Sequence, residues 1–347
     1  MWRLGRRTTI ALVAAVLAPA VACGADDGAP ETGRQRMETV GLAEAFAATA
    51  EATSYRLTNS VGQTISSSAM GVDTSTEADP EDPMMVMEVT PEGTHTSADL
   101  SKLFGPMMGQ DLGSIGFEIW VDEDRMVVDT RGYAALLNAN PGAELGPFEP
   151  GVSYVDLDAL GLESPDLVTA AVGAAMPDLR VMAERLPQVL DGVEQTGTTF
   201  TGVASYADVL EALGADLDHT SRGAAAGVAL NLDVEVDELA AIYASFYEEI
   251  PFDVTVVVTS TGILRSVHYQ GDLSGIYQAI FDHPEALGLD VSDEELEQAR
   301  ELFADTEWTL EALLQFEVVE DLELPPAPEA TEDRTDEWIT FLREAGL

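Results

Sequence analysis

Apolar residues alternate with period two at Phe117, Ile119 and Val121, interleaved with Glu118 and Trp120, and Asp122-Glu123-Asp124 then turns the chain into Met126 to Asp129. The same design returns at Phe252, Val254, Val256 and Val258, with a turn at Ser260-Thr261-Gly262 leading into Ile263 to Leu273. Leu310, Ala312, Leu314, Phe316 and Val318 form a last alternating strand. Earlier in the chain Tyr55 to Ile65 reads as a strand, and Met84 to Thr90 with Thr94 to Leu100 reads as a hairpin around Pro91-Glu92-Gly93. Period-two patterning with short turns predicts antiparallel sheet, one face against a core and the other partly wet. Gly71 to Asp82, rich in Thr, Ser and acids, reads as a loop.

Between these strands the period changes to that of helices. Leu42, Ala45, Phe46 and Ala50 share one face of a helix over Leu42 to Ala52. Ser164-Pro165-Asp166 starts a second helix that runs to about Ala175 and resumes from Pro177 toward Leu186, and Ser292 with Glu295 makes a capping box before Leu296, Ala299 and Phe303. Tyr206 to Tyr247 reads as a long insertion with helices at Ala207–Leu213 and Glu238–Tyr247, and Ala224 to Gly227 between them reads as flexible. Pro325-Pro326-Ala327-Pro328 ends the globular pattern, and a terminal helix follows with Trp338, Phe341 and Leu342 on one side. The fold class expected is α+β, with one domain over residues 39–326, an insertion at 207–248 and a tail over 327–347.

The first 22 residues change the picture of where such a domain works. Arg3, Arg6 and Arg7 precede an apolar run from Ile10 to Val21 that is too short to cross a bilayer, the layout of a signal peptide. Ala20-Val21-Ala22-Cys23-Gly24 then places the single cysteine after small residues. This resembles a bacterial lipobox, with Ala20 where the pattern prefers Leu, and implies lipidation of Cys23; ordinary cleavage near Ala22 is the alternative. Arg6-Arg7 also fits a twin-arginine signal poorly. Residues 23–38 read as a Gly/Pro tether. The localisation expected is the extracytoplasmic side of a cell membrane.

Charge removes one class of partner. The chain carries 63 acidic and 16 basic residues, a net charge of −47, and loss of the leader leaves 13 basic residues and −50. Nucleic-acid binding needs clustered cations that are not here. One cysteine excludes an internal disulfide framework.

Catalysis has little to stand on. No nucleophile elbow, Ser-x-x-Lys, zinc-protease or P-loop spacing occurs. His219 and Ser221 are close in sequence, but a triad needs an orienting carboxylate and an oxyanion hole that sequence neighbours do not supply. His95, His268 and His283 read as strand or surface residues. Asp233, Glu235 and Asp237 alternate, yet Glu238 and Ala244 stand where an EF-hand calcium loop needs Gly and Glu. Asp122-Glu123-Asp124 reads as a solvated turn. Neither metal nor cofactor is expected, and no enzyme activity.

Val193 to Gly197, Phe200 to Val203 and Tyr206 form a strand, Gly, strand ending in Tyr, and Phe252–Val258 with Gly262–Val267 form a second such pair. Tyr154 to Leu157 closes a strand before a helix, and the last strand leads into Glu323-Leu324-Pro325-Pro326. Over residues 40–326 this resembles the LppX/LprG-type actinobacterial lipoproteins of the LolA-like superfamily. The resemblance implies a curved antiparallel half-barrel, helices over its concave face and a cavity between them for acyl chains. It places Phe117, Ile119, Phe252, Val254 and Val256 on strand faces turned toward that cavity. Met84, Met85 and Met87, with Met107 and Met108, add soft side chains suited to irregular chains, core packing being the alternative. The functional expectation is a lipid-anchored protein that binds or transfers a hydrophobic molecule, with Met85, Met87, Phe117, Ile119, Phe252, Val254 and Val256 as candidate lining. The alternative is a non-enzymatic envelope scaffold or regulatory lipoprotein with a filled core.

Overall fold

The computed structural model describes residues 40–68, 71–101, 115–122, 124–134, 148–160, 179–215, 217–229, 236–284 and 293–344. The leader, Cys23, the tether, Met107, Met108, the helix start at Ser164, Ser292, Asp233 and Glu235 lie outside them. In chain order the elements are α1 (Val40–Ala50), β1 (Tyr55–Ser67), β2 (Val72–Thr76), β3 (Met85–Thr90), β4 (Gly93–Asp99), β5 (Gly116–Val121) and β6 (Arg125–Asp129). A single 3-10 turn at Arg131–Tyr133 leads to β7 (Val152–Asp156), α2 (Leu157–Leu160), α3 (Leu179–Val189), β8 (Asp191–Thr196), β9 (Thr199–Ser205) and α4 (Tyr206–Ala212). Then come α5 (Leu217–Ala229), α6 (Val236–Glu249), β10 (Pro251–Val258), β11 (Leu264–Asp272), α7 (Ile276–Phe281) and α8 (Asp293–Phe303). The chain ends in β12 (Glu307–Val318), β13 (Glu332–Asp333) and α9 (Thr335–Glu344).

All described strands join one sheet in the order β13-β7-β6-β5-β4-β3-β1-β12-β11-β10-β9-β8, with β2 on β1. The sheet is curved, does not close, and is antiparallel except where β13 runs parallel to β7. A path of this many strands cannot stay flat, because each neighbour adds right-handed twist. Its centre is the long pair β1 and β12, in register from Tyr55 opposite Val318 to Ser66 opposite Glu307.

Register then lays one inner row across most of the sheet. Phe200 faces Val256, which faces Val267, then Leu314, Asn59, Met85, Ala98 and Phe117. A parallel row runs from Phe316 through Leu57, Met87, Thr96 and Ile119 to Val128. These rows share one buried cluster with Leu42 and Phe46 of α1, Met182 and Leu186 of α3, Leu210 of α4 and Tyr243 of α6. Each large side chain so buried contributes about 1.5–3 kcal/mol relative to exposure.

Local chemistry explains the boundaries. Ser205 caps α4 by accepting from the Asp208 N–H at 3.0 Å. Gly262 takes φ 82° in the β10–β11 turn, a conformation open to glycine without a Cβ clash. At Gly271 the backbone passes beneath the Phe252 ring, so closely that an added Cβ would lie 2.2 Å from ring carbon Cε2.

Three expectations need correction. The segment read as a loop over Gly71–Asp82 contains β2, which pairs with the far half of β1 while β3 takes the near half. Apart from Val72 its residues are polar on both faces, so no apolar alternation announced it; side-chain bonds such as Thr64 Oγ1 to Ser75 Oγ at 2.9 Å reinforce the ladder. Ala224 to Gly227 is helical within α5, where Ala224 and Ala225 are fully buried, because alanine is both the best helix former and small enough for close helix packing. The chain beyond Pro328 is no free tail: β13 extends the sheet and Trp338 of α9 is 0 % exposed.

Candidate functional site

All seven candidate lining residues face the core side of the sheet. Met85 and Phe117 flank Ala98 in one inner row, and Met87 and Ile119 flank Thr96 in the next. Phe252, Val254 and Val256 alternate along β10 on the other half of the sheet, and Val256 joins the first row through Val267, Leu314 and Asn59. None is more than 9 % exposed. Met84 is buried as well, at the start of the β3 hairpin.

Above β10 lies an aromatic tract. Tyr206 stacks on Phe252 with ring centroids 4.5 Å apart, and Tyr247 meets Tyr206 edge-on at 5.0 Å. Tyr243 lies 5.9 Å from Tyr247, while Tyr277 lies 5.0 Å from Phe303 and 6.4 Å from Trp308. Burial pushes the phenols of Tyr206, Tyr243, Tyr247, Tyr269 and Tyr277 well above their ordinary range, and mutual repulsion with Tyr206 and Tyr243 adds to the effect at Tyr247. These groups stay neutral hydroxyls. They are not general bases.

Four polar atoms in this interior have no hydrogen-bond partner among the described residues: Thr96 Oγ1, Ser221 Oγ, Tyr243 Oη and Trp308 Nε1. Thr96 is 1 % exposed, Ser221 and Tyr243 0 %, and Trp308 2 %. They come from β4, α5, α6 and β12, so four elements each present a polar group to the apolar side. Periodicity could not have found them, since a Thr or Tyr at a core position reads as an ordinary strand or helix residue.

No protein-family model matches the chain, and no curated protein matches its sequence.

The outer face is different in kind. Arg56 of β1 pairs with Glu88 at 2.8 Å and Glu317 at 3.5 Å. His95, 7 % exposed, spans Glu88 at 3.3 Å and Glu118 at 3.1 Å, and its ring lies 5.0 Å from that of Trp120. A cleft of about 520 Å³ opens near this rung between Met84, Val86, Ser97, Glu118, Asp129 and Arg131; Phe117 is the one candidate lining residue that borders it. A second recess of about 490 Å³ lies between Asp156, Ala159, Asp333, Thr335, Asp336 and Glu337. The first mixes acids with Met84, Val86, Ala98 and Phe117, and the second is mainly acidic.

The remaining candidates resolve simply. Burial alone would raise the Asp122 carboxyl, but the hydrogen bonds and charge of Arg125 outweigh it and hold the group below its usual range. Asp237 pairs with Arg222, which also bonds Asp218 at 2.8 Å. His268 reaches Glu311 at 2.7 Å, and no group of three or more metal-ligating side chains gathers among the described residues.

Proposed function

We propose that the chain is an exported envelope lipoprotein, anchored through Cys23, that binds or transfers a hydrophobic molecule held between its curved sheet and its helices. The finer fold reading that goes with this is the LolA-like half-barrel with helices over the concave face. The observation that supports the function most directly is the set of unpartnered polar atoms, Thr96 Oγ1, Ser221 Oγ, Tyr243 Oη and Trp308 Nε1, inside a largely apolar interior. Each unmade hydrogen bond costs about 1–3 kcal/mol, a cost that Val, Ala or Phe at the same positions would avoid. An amphiphile satisfies them with its ester or hydroxyl oxygens while its chains lie along Met85, Met87, Phe117, Ile119, Phe252, Val254 and Val256. No covalent chemistry is required, since burial contributes about 0.8 kcal/mol per methylene.

A second reading, a scaffold or regulatory lipoprotein with a filled core, draws on the close packing at the same place. The Tyr206–Phe252 stack at 4.5 Å and the 0 % exposure of Phe252 and Val256 are those of a solid interior. One experiment separates the two. Protein purified from its own membranes is solvent-extracted and the extract weighed by mass spectrometry, beside Val256→Lys on the inner face and Val257→Lys on the outer. Carriage predicts a lipid near one per chain, lost in Val256→Lys with the fold retained, because water can enter an emptied site around a lone ammonium. Absence of lipid together with unfolding of Val256→Lys supports the scaffold.

A further inference from the structure

We infer that the C-terminal arm, residues 319–344, is a strap that closes the β5–β7 end of the interior and whose grip is set by ionic strength. The arm leaves β12 through Asp321, whose φ of 58° makes it the one non-glycine residue in the left-handed region among those described. That conformation costs an L-residue roughly 1 kcal/mol or more and marks a hinge. The arm then crosses the outer face, where Trp120 Nε1 donates to the Pro325 carbonyl at 3.0 Å. At the sheet edge the Thr331 N–H donates to Val152 O at 3.0 Å, the Arg334 N–H donates to Tyr154 O at 3.1 Å, and Tyr154 Oη donates to Asp333 at 2.8 Å. Past this edge α9 turns inward. Trp338 lies 5.2 Å from Phe148, which lies 6.2 Å from Tyr133, which lies 6.0 Å from Phe117 of the inner row. One tryptophan thus plugs the end of the interior.

The forces on this arm differ in range. Attraction is short-range: burial of Trp338, a handful of hydrogen bonds, and Arg334, 5 % exposed, bonding Glu149 O at 2.7 Å and Glu332. Repulsion is long-range. Residues 320–337 hold eight carboxylates against the single cation Arg334, laid on a chain of net charge −47. Asp333, Asp336 and Glu337 share the recess at the foot of α9 with Asp156, while Arg125, opposite Asp156 on β6, is already bonded to Asp122. Only the repulsion depends strongly on salt, its range falling from about 30 Å at 10 mM to about 8 Å at 150 mM. The paired centre of the sheet is held by ladders of up to twelve residues, whereas β13 contributes two. Loss of screening therefore frees the arm before it loosens the sheet.

Hydrogen–deuterium exchange of the intact protein at 10 and 150 mM sodium chloride tests the strap, and Trp338→Ala at 150 mM tests its plug. Peptides within 322–344 are expected to exchange at least tenfold faster at low salt, with peptides from β10 to β12 unchanged, and Trp338→Ala should reproduce that pattern. Salt-independent exchange in the arm, or equal acceleration everywhere, overturns the proposal. That an open strap admits cargo rests on the carrier reading, and uptake of the fluorescent fatty acid cis-parinaric acid is its separate arm. Faster uptake at 10 mM and in Trp338→Ala supports gating, and equal uptake with the arm docked or released overturns it. An arm that opens on a protein that takes up no probe at either salt keeps the strap and removes the carrier.

Discussion

Tyr243→Phe removes a single oxygen from the interior and leaves the ring that packs there. Tyr243 is 0 % exposed and its Oη has no partner among the described residues, so in the delipidated protein the mutation deletes a group that lost its water and gained nothing. The penalty relieved is about 1–3 kcal/mol. With an unfolding entropy of about 2.1 cal/mol/K per residue over the roughly 240 described residues, this raises Tm by about 2–6 °C. On the carrier proposal the sign reverses once cargo is bound, because the hydroxyl would then bond an oxygen of the cargo. Loss of one hydrogen bond of about 0.5–1.5 kcal/mol weakens binding roughly 2- to 10-fold. The assay is calorimetric melting of delipidated wild type and variant, followed by titration with the extracted lipid. Thr96→Val, of nearly the same shape, should repeat both signs. A lower Tm in delipidated Tyr243→Phe would show that the hydroxyl is satisfied within the protein and is not held for cargo.

Alkali should unfold the protein cooperatively. Burial raises the phenols of Tyr133, Tyr206, Tyr243, Tyr247, Tyr269 and Tyr277 above 10, so stability is intact below the unfolded value near 10 and falls as pH rises past it. Absorbance at 295 nm should show these six phenols ionising together with loss of far-UV dichroism; gradual ionisation with the fold intact would contradict their burial. Gly271→Ala drives a methyl group to 2.2 Å from the Phe252 ring and should cost about 1–3 kcal/mol, measured by urea unfolding, and a second change, Phe252→Leu, should recover part of it. Cys23→Ser should move the folded protein from the membrane fraction to the soluble fraction, since stable attachment needs more than one acyl chain; retention after a high-salt wash would assign the anchor to another surface.

The sequence by itself determined the elements whose chemistry is local. Alternation at Phe117–Val121 and Phe252–Val258 marked strands and the buried face of each, because a period of two has only two sides to choose between. The helices at Ala207–Leu213 and around Trp338 were legible in the sequence, the second from its apolar stripe, whereas the Ser205 cap emerged only from the structure. β2 was hidden because its stabilisation is a ladder to β1 with side chains that are polar apart from Val72, and backbone pairing leaves no mark in composition. The order of strands, which brings Val256 and Phe117 into one row, depends on the pairing of β1 with β12, which sets Asn59 opposite Leu314 from the far end of the chain. His95 between Glu88 and Glu118, the unpartnered Thr96 and Tyr243, and Trp338 at the end of the Phe117 row are likewise properties of position. A side chain's periodicity fixes which way it points, but what it meets there is decided by strands and helices that arrive from elsewhere in the chain.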